Sequence, residues 1–464
     1  MTNRNTAIKA GLGYTIGNML VKGINFLTIP LFSRLLTTAE FGVYNVFLSY
    51  DSILSVIVGF AMATSVKSAH YEFKKTDEYV SSISIIYILN AMFFFLIILI
   101  GGERLANWIG FGKTILLLLV PFSFGGAIIQ LYNERISIDY EYKKYLIIAF
   151  VNSVGNILFS LLLIMTVFRN QRDVGRMVGA VSTIFVLSSV LIVKMYIKAR
   201  PRVNKQFWKF GILYSLPIVP HGISQVLLAQ FDRIMISRMV SDSAAGIYSL
   251  AGNLKLMLTV VSTSIGVSWS TWFFSKFENR ETDEIQKSAS YLVRLFLIIT
   301  IGLMALSPEI IEILGGSEYN SGKYVAIPMI VDAFILFLYN IVVPSEYYTK
   351  KTKYIMIGTL VSAVINIITN YIFIQKYGFI AAAYTTLFSY ICYLLLHFVI
   401  SKKLVNFEVV KLSNIITSAV LLTISGFFDL YFVNNVVVRI IISLIMVVLL
   451  CPPLLKYYNN RRAQ

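Results

Sequence analysis

Seven charged side chains interrupt stretches that are otherwise apolar: the bases Lys22, Arg233, Lys255 and Arg294, and the acids Asp51, Asp232 and Asp332. A charge at the middle of a bilayer costs roughly 2.5–3.5 kcal/mol on insertion scales, so each is a candidate for function, facing a wet interior. Snorkelling or a local ion pair is the plainer explanation, and for Arg294, near one end of its stretch, the two readings weigh equally. The surplus of bases selects an anion. Lys and Arg give charge-assisted hydrogen bonds to phosphate oxygens, about twice as strong as neutral ones. The three aspartates are the groups through which a coupling ion, a proton or sodium, would pass; alternatively they only neutralise nearby bases.

Polar neighbours extend these positions into stripes. Asn18, Lys22 and Asn25 are spaced i, i+4, i+7 on one helix face, with Pro30 beyond them as a kink. His221, Gln225 and Asp232 share a stripe that follows the helix-breaking Pro217 and Pro220. Lys255, Thr259 and Ser262 form a third stripe, and Asp51 with Ser55 a fourth. Together they fit a hydrophilic cavity between two helix bundles. The alternative is hydrogen bonding that merely holds helices together. Asp232 and Arg233 are adjacent, hence about 100° apart, and pair with neighbours rather than each other.

The elements that position these groups follow from composition. Hydrophobic residues are 57% of the 464, charged residues 14%, and mean hydropathy is +0.75. Apolar runs of about twenty residues, the length a bilayer requires, recur throughout, and strand-type alternation is absent. The expectation is an all-α polytopic membrane protein with about fourteen spans: 10–34, 41–65, 80–101, 114–133, 145–168, 175–197, 209–236, 245–273, 288–314, 325–346, 354–375, 379–400, 412–433 and 437–456. The segment 10–34 reads as a retained first helix rather than a cleaved signal. Residues 1–200 and 201–403 are two six-helix bundles in parallel repeat, and 404–464 adds two further helices. The basic, Pro201-interrupted run from Lys194 to Lys209 joins the bundles.

The net charge of +17 does not point to nucleic acid, because the bases lie in short loops. Most fall on the N-terminal side, among them Lys74, Lys75, Lys143, Lys144, Lys350, Lys351, Lys402 and Lys403. That asymmetry puts both termini in the cytoplasm. Arg169, Arg172 and Arg176 are the exception, on the outer side. Cys392 and Cys451 sit in apolar runs and suggest neither disulfide nor metal.

A repeat underlies the division. LFSRLLTTAEFGVYNVF (31–47) aligns without gaps on MISRMVSDSAAGIYSLA (235–251), matching Ser33, Arg34, Gly42 and Tyr44 to Ser237, Arg238, Gly246 and Tyr248. Asn152, Asn156 and Ser160 echo Ser362, Asn366 and Asn370, each trio at i, i+4, i+8. Enzyme motifs fail. Gly112-Lys113-Thr114 ends like a phosphate-binding loop, but Asn107 stands where its first Gly belongs. His70, His221 and His397 lack metal-ligand spacing, and no cofactor is implied.

The block SRLLTTAEFGVYNVF resembles the polysaccharide-transporter branch of the MOP superfamily, as do QFDRIMISRMVSDSAAGIYSLAGNLK and YGFIAAAYTTLFSYI. These are the Wzx-type flippases of O-antigen, capsule and exopolysaccharide repeat units. The resemblance covers residues 6–400. It implies MATE-like bundles, a cationic cavity, and flipping of undecaprenyl-pyrophosphate-linked oligosaccharide across the bacterial cytoplasmic (inner) membrane. Partners then include the bilayer, the lipid-linked oligosaccharide, a proton or sodium ion, and polysaccharide polymerase or assembly proteins. Onto this chain it carries Asp232, Arg233, Arg238, Gly246 and Tyr248, with Arg34, Gly42 and Tyr44 in the first copy. Arg34 and Arg238 fall at the outer mouth, as loop anchors or ligand contacts. A lipid II flippase stays open, and less so MATE-type drug efflux, whose cavity should be acid-rich. A structural scaffold in a polysaccharide-assembly complex would need no intramembrane charge.

Overall fold

The computed structural model describes residues 20–462 together with Gly11, Gly13 and Gly17, and side chains throughout these except at positions 449 and 451–462. Among the described residues there is no strand. Among the described residues eleven helices are long and apolar enough to cross a membrane, and a bent pair makes twelve. A shorter apolar helix over Val436–Val448 follows them. Part of the expected first span, and with it Asn18, lies outside the described residues.

Residues 20–27 are helical, Thr28 is a turn, and α1 (Ile29–Leu35) resumes with Pro30 in its first turn. Proline's missing N–H and its clash with the preceding turn place the interruption there. α2 (Thr38–Gly59) starts in a capping box: Thr37 Oγ accepts from Glu40 N at 3.2 Å, and the Glu40 carboxylate accepts from Thr37 N at 2.8 Å. Such a cap stabilises a helix start by about 1 kcal/mol. Beyond a 3₁₀ turn come α3 (Val66–Phe73), α4 (Thr76–Ile109), α5 (Lys113–Ile138), α6 (Tyr142–Met165) and α7 (Arg172–Lys198). α8 (Lys205–Ser215) and α9 (Ile218–Met239) meet at a 47° bend, where Pro217 and Pro220 deny the ladder two N–H groups.

The remainder is α10 (Asp242–Glu278), α11 (Thr282–Gly315), a 3₁₀ turn, α12 (Lys323–Val342), α13 (Pro344–Tyr348), α14 (Lys353–Tyr377), α15 (Phe379–Val405), α16 (Leu412–Tyr431) and α17 (Val436–Arg462). The chain divides into two compact units, Met1–Arg238 and Met239–Gln464.

In the first unit α6 packs on α7, while α5 packs on α2, α4 and α7. Apolar side chains gain little by exchanging lipid for protein, so close packing and polar contacts hold such helices together. Phe207 of α8 packs with Phe73 and Tyr79 at ring distances of 4.9 and 5.5 Å, fixing α8 against α4. In the second unit α10 packs on α12, α14 on α15, and α11 on α12, α16 and α17.

One side chain fastens the last two helices. Arg439 of α17 is fully buried and donates to Ala305 O at 2.9 Å, Phe432 O at 3.0 Å, Val433 O, and Glu309. A guanidinium that binds one carbonyl of α11, two carbonyls of the turn between α16 and α17, and a carboxylate of α11 fixes α17 in one register.

Candidate functional site

The repeated motif has a local explanation. Ser33 and Arg34 lie at the end of α1, as Ser237 and Arg238 do at the end of α9. Thr37 and Ser241, aligned in the repeat, are the N-caps of α2 and α10; Ser241 Oγ accepts from Ala244 N at 3.1 Å. Each copy thus encodes a helix end, a tight turn and a capped helix start. Gly42, Tyr44, Gly246 and Tyr248 are buried beyond the caps. Arg34 and Arg238 are exposed. Arg238 donates to Trp108 O at 2.7 Å, at the end of α4. There Gly110 has φ +77°, and a Cβ at that glycine would collide with the guanidinium. Arg238 therefore anchors the α4–α5 loop through a position only glycine fills.

The second echo also has matching contacts in each unit. Arg176, expected in an outer loop, is buried instead: it donates to Asn156 Oδ1 and to Ser160 Oγ at 2.6 Å. Its guanidinium stacks 3.8 Å from the Phe32 ring centroid and 4.6 Å from that of Tyr44. At the offset that carries Asn156 onto Asn366, Arg176 falls on Thr386, and Asn366 donates to Thr386 Oγ at 2.9 Å. Asn370 extends that network, donating to Asn366 at 3.1 Å and accepting from Thr385.

At the motif's own offset Asp51 falls on Lys255 and Ser55 on Thr259. The two positions have opposite charge. Asp51 of α2 accepts from Ser55 Oγ at 3.0 Å and from Ser123 Oγ of α5 at 2.6 Å. Lys255 of α10 donates to Asp332 of α12 at 3.2 Å and lies 4.4 Å from the Tyr390 ring centroid. Ser262 accepts from Asn340 at 3.0 Å, so the Lys255–Ser262 stripe faces α12. The structure brings together two of the expected charges here as one ion pair.

The other bases differ. Among the described residues, Lys22, Arg233 and Arg294 form no ion pair. Arg233 is half-buried and bonds within its own helix, to Gln230 and, at 3.5 Å, to Ala229 O; its Nε is buried without a partner. Asp232 is buried, and its carboxylate accepts from the Arg233 backbone N at 3.0 Å. Lys22 and Asn25 are exposed on residues 20–27, Gln225 is exposed on α9, and Arg294 and His221 are half-buried.

Sequence reasoning missed three charged groups inside apolar helices. Arg439 and Asp429, the latter accepting from Ser425 Oγ at 3.2 Å, lie in the last two helices. Glu346 was read as the edge of a span, and it is fully buried against His397. The signal was available in each case: an ionisable residue inside the bounds of an apolar run.

The sequence profile of the family described as "Polysaccharide biosynthesis protein" matches residues 8–277. The chain belongs to that family. A second profile, MatE, matches residues 217–372. The chain is 23% identical over 390 residues to a Haloferax volcanii protein named "Probable low-salt glycan biosynthesis flippase Agl15", covering 82% of this chain and 80% of that one. It is 24% identical over 308 residues to the "Succinoglycan biosynthesis transport protein ExoT" of Rhizobium meliloti, covering 64% and 60%. In fold it resembles the lipid II flippase MurJ, inward closed, with TM-score 0.75 and 16% identity over 96% of this chain and 99% of MurJ. An inward-facing multidrug resistance MATE transporter of the MOP superfamily superposes with TM-score 0.61 at 12% identity, covering 85% of this chain and 94% of that one. The polysaccharide-transporter resemblance of the motif blocks is thereby confirmed, together with the all-α, MATE-like fold. The chain is a multi-pass membrane transporter of the MOP superfamily in polysaccharide biosynthesis, and not an enzyme.

Proposed function

We propose that the chain flips undecaprenyl-pyrophosphate-linked oligosaccharide repeat units across the cytoplasmic membrane by alternating access, for cell-surface polysaccharide such as O-antigen or capsule. One observation carries this reading: Lys22, Arg233 and Arg294 lie within apolar helices with no carboxylate to neutralise them among the described residues. Unneutralised bases in a membrane suit an anionic head group, and a pyrophosphate supplies two charges' worth of acceptors. The names of the relatives, a glycan flippase and a succinoglycan transporter, support the substrate class. An apolar groove of about 520 Å³, lined by Ile327, Phe334, Ile391, Leu395, Ile416 and Phe427, suits part of a polyisoprenoid tail. Deleting the gene should leave lipid-linked glycan on the cytoplasmic leaflet. Unchanged glycan with drug retained in the cell would replace this reading by efflux.

Similarity to MurJ in fold keeps lipid II as the second reading. Both substrates are lipid pyrophosphates, so the charge argument serves either, and the species that accumulates on deletion separates them.

The charge asymmetry of the loops supports cytoplasmic termini. Val203 and Glu318, both exposed, report on the two sides. In a chain freed of Cys392 and Cys451, a membrane-impermeant thiol reagent should label Glu318→Cys in intact cells and leave Val203→Cys unlabelled. The reverse pattern would overturn the orientation.

A coupling ion should pass through at least one of Asp51, Asp232 and Asp332. The corresponding Asn variants should therefore include one whose transport ignores the ion gradient. If all three keep transport and its gradient dependence, these aspartates serve only to neutralise bases.

A further inference from the structure

The second unit contains an acid and a base that neither the cationic set nor the helix-joining contacts use. Glu346 of α13 and His397 of α15 are both 0% exposed, and the Glu346 carboxylate meets His397 Nδ1 at 2.6 Å. Neither forms another ion pair among the described residues. Each keeps a second polar atom, Glu346 Oε2 and His397 Nε2, buried without a hydrogen bond. Buried polar atoms are almost always satisfied, so two orphans on one pair demand a reason. The surroundings do not supply it. Tyr339 of α12 and Tyr393 of α15 hold their ring centroids 5.0 and 4.5 Å from that of His397. Tyr393 in turn shares a hydrogen bond of 3.3 Å with Thr359 of α14. The Nε2 edge rests on Gly358 of α14, where a Cβ would collide with the ring. Tyr347, beside Glu346 on α13, is the remaining titratable neighbour. On the α10 side the approach is aromatic, with Phe274 and Phe277 packed on Tyr348. Among the described residues no lysine or arginine forms an ion pair with either group.

Charge accounting then decides what the pair can hold. With one proton between them the two groups are neutral together, whichever of them carries it. Without that proton the site holds a lone negative charge in a dry, ring-lined pocket, which costs several kcal/mol unless water enters. Gaining the proton and closing the packing of α12, α13, α14 and α15 are therefore one event. The exit is short. α13 has five residues, bounded by the break at Pro344 and by a turn in which Lys350 is exposed with φ 58°.

We propose that Glu346 and His397 form a proton-binding site, exchanging one shared proton as the second unit opens and closes, and that this proton is coupled to transport in addition to any ion carried by the aspartates. The site itself stands on the geometry above; only its coupling role rests on the transport reading.

The test uses the full chain in lipid nanodiscs without substrate, so its result is independent of what the protein carries. The chain has three histidines, His70, His221 and His397, which makes a histidine-selective ¹⁵N spectrum assignable. Across a pH series the His397 ring signals should pass between two states. The same transition should appear in the thermal midpoint, highest with the proton bound and falling as the pH rises. In Glu346→Gln both changes should be lost, and Gly358→Ala, which displaces the ring, should shift them. Invariant His397 signals in the unaltered chain overturn the proposal, even if no variant folds. So does a Glu346→Gln variant whose His397 transition matches the unaltered chain. In proteoliposomes carrying lipid-linked oligosaccharide, an imposed pH gradient should change the flipping rate of the unaltered chain at least several-fold and leave Glu346→Gln and His397→Gln unresponsive. Variants that keep the full gradient response remove the coupling role.

Discussion

Arg439→Leu is expected to remove most of the protein from the membrane. The guanidinium is fully buried and satisfies three carbonyls and Glu309 at once, tying α17 to α11. Removing one member of such a network typically costs about 3–5 kcal/mol. Against a total stability of about 5–15 kcal/mol that is a large fraction. The loss comes from orphaned carbonyls more than from Glu309, whose side chain is 37% exposed. Glu309→Gln should therefore be mild, within about 1 kcal/mol. Arg439→Lys should fall between the two, since an ammonium keeps the charge but cannot reach four acceptors in a planar fork. Yield of monodisperse detergent-extracted protein and its thermal midpoint give the order. Normal yield and midpoint in Arg439→Leu would show that α17 is held by other contacts.

Arg233→Ala and Lys22→Ala are expected to do the opposite, leaving the protein in place and stopping its work. Neither base has an ion pair among the described residues, so truncation orphans no carboxylate. A hydrogen bond to a charged group is worth about 1.5–3 kcal/mol, so each loss should weaken head-group binding roughly 10- to 150-fold. Arg233→Lys should recover part of this, because charge returns without the bidentate geometry. Transport per molecule, normalised to membrane abundance, is the deciding quantity. Normal values in both Ala variants would take Arg233 and Lys22 out of the site.

These two predictions differ because the sequence speaks clearly about faces and poorly about what covers them. The gapless motif already located the α1–α2 and α9–α10 turns, since its hydroxyls Thr37 and Ser241 are the caps that those turns need. Helical spacing put Lys255 and Ser262 on one face, and both do bond to α12. It did not reveal that Lys255 is engaged by Asp332, 77 residues away, while Lys22 and Arg233 have no such acid. Periodicity fixes an angle around one axis and leaves the partner helix unspecified. Arg176 was misplaced for a related reason. Three nearby arginines looked like a solvated loop, yet the Asn156 and Ser160 stripe was the acceptor set that draws one of them inside. Arg439 was least legible, because three of its partners are backbone carbonyls, which every residue possesses.

On this reading the chain moves a lipid-linked oligosaccharide from one leaflet to the other. The most direct measurement places purified chain in proteoliposomes with undecaprenyl-pyrophosphate-linked oligosaccharide and follows its exposure to a sugar-modifying enzyme confined outside. The inner-leaflet fraction should become accessible far faster with the unaltered chain than in protein-free vesicles, and Arg233→Ala should return it to the protein-free rate. Equal rates with and without the unaltered chain, in vesicles where the same chain translocates lipid II or a cationic drug, would contradict it.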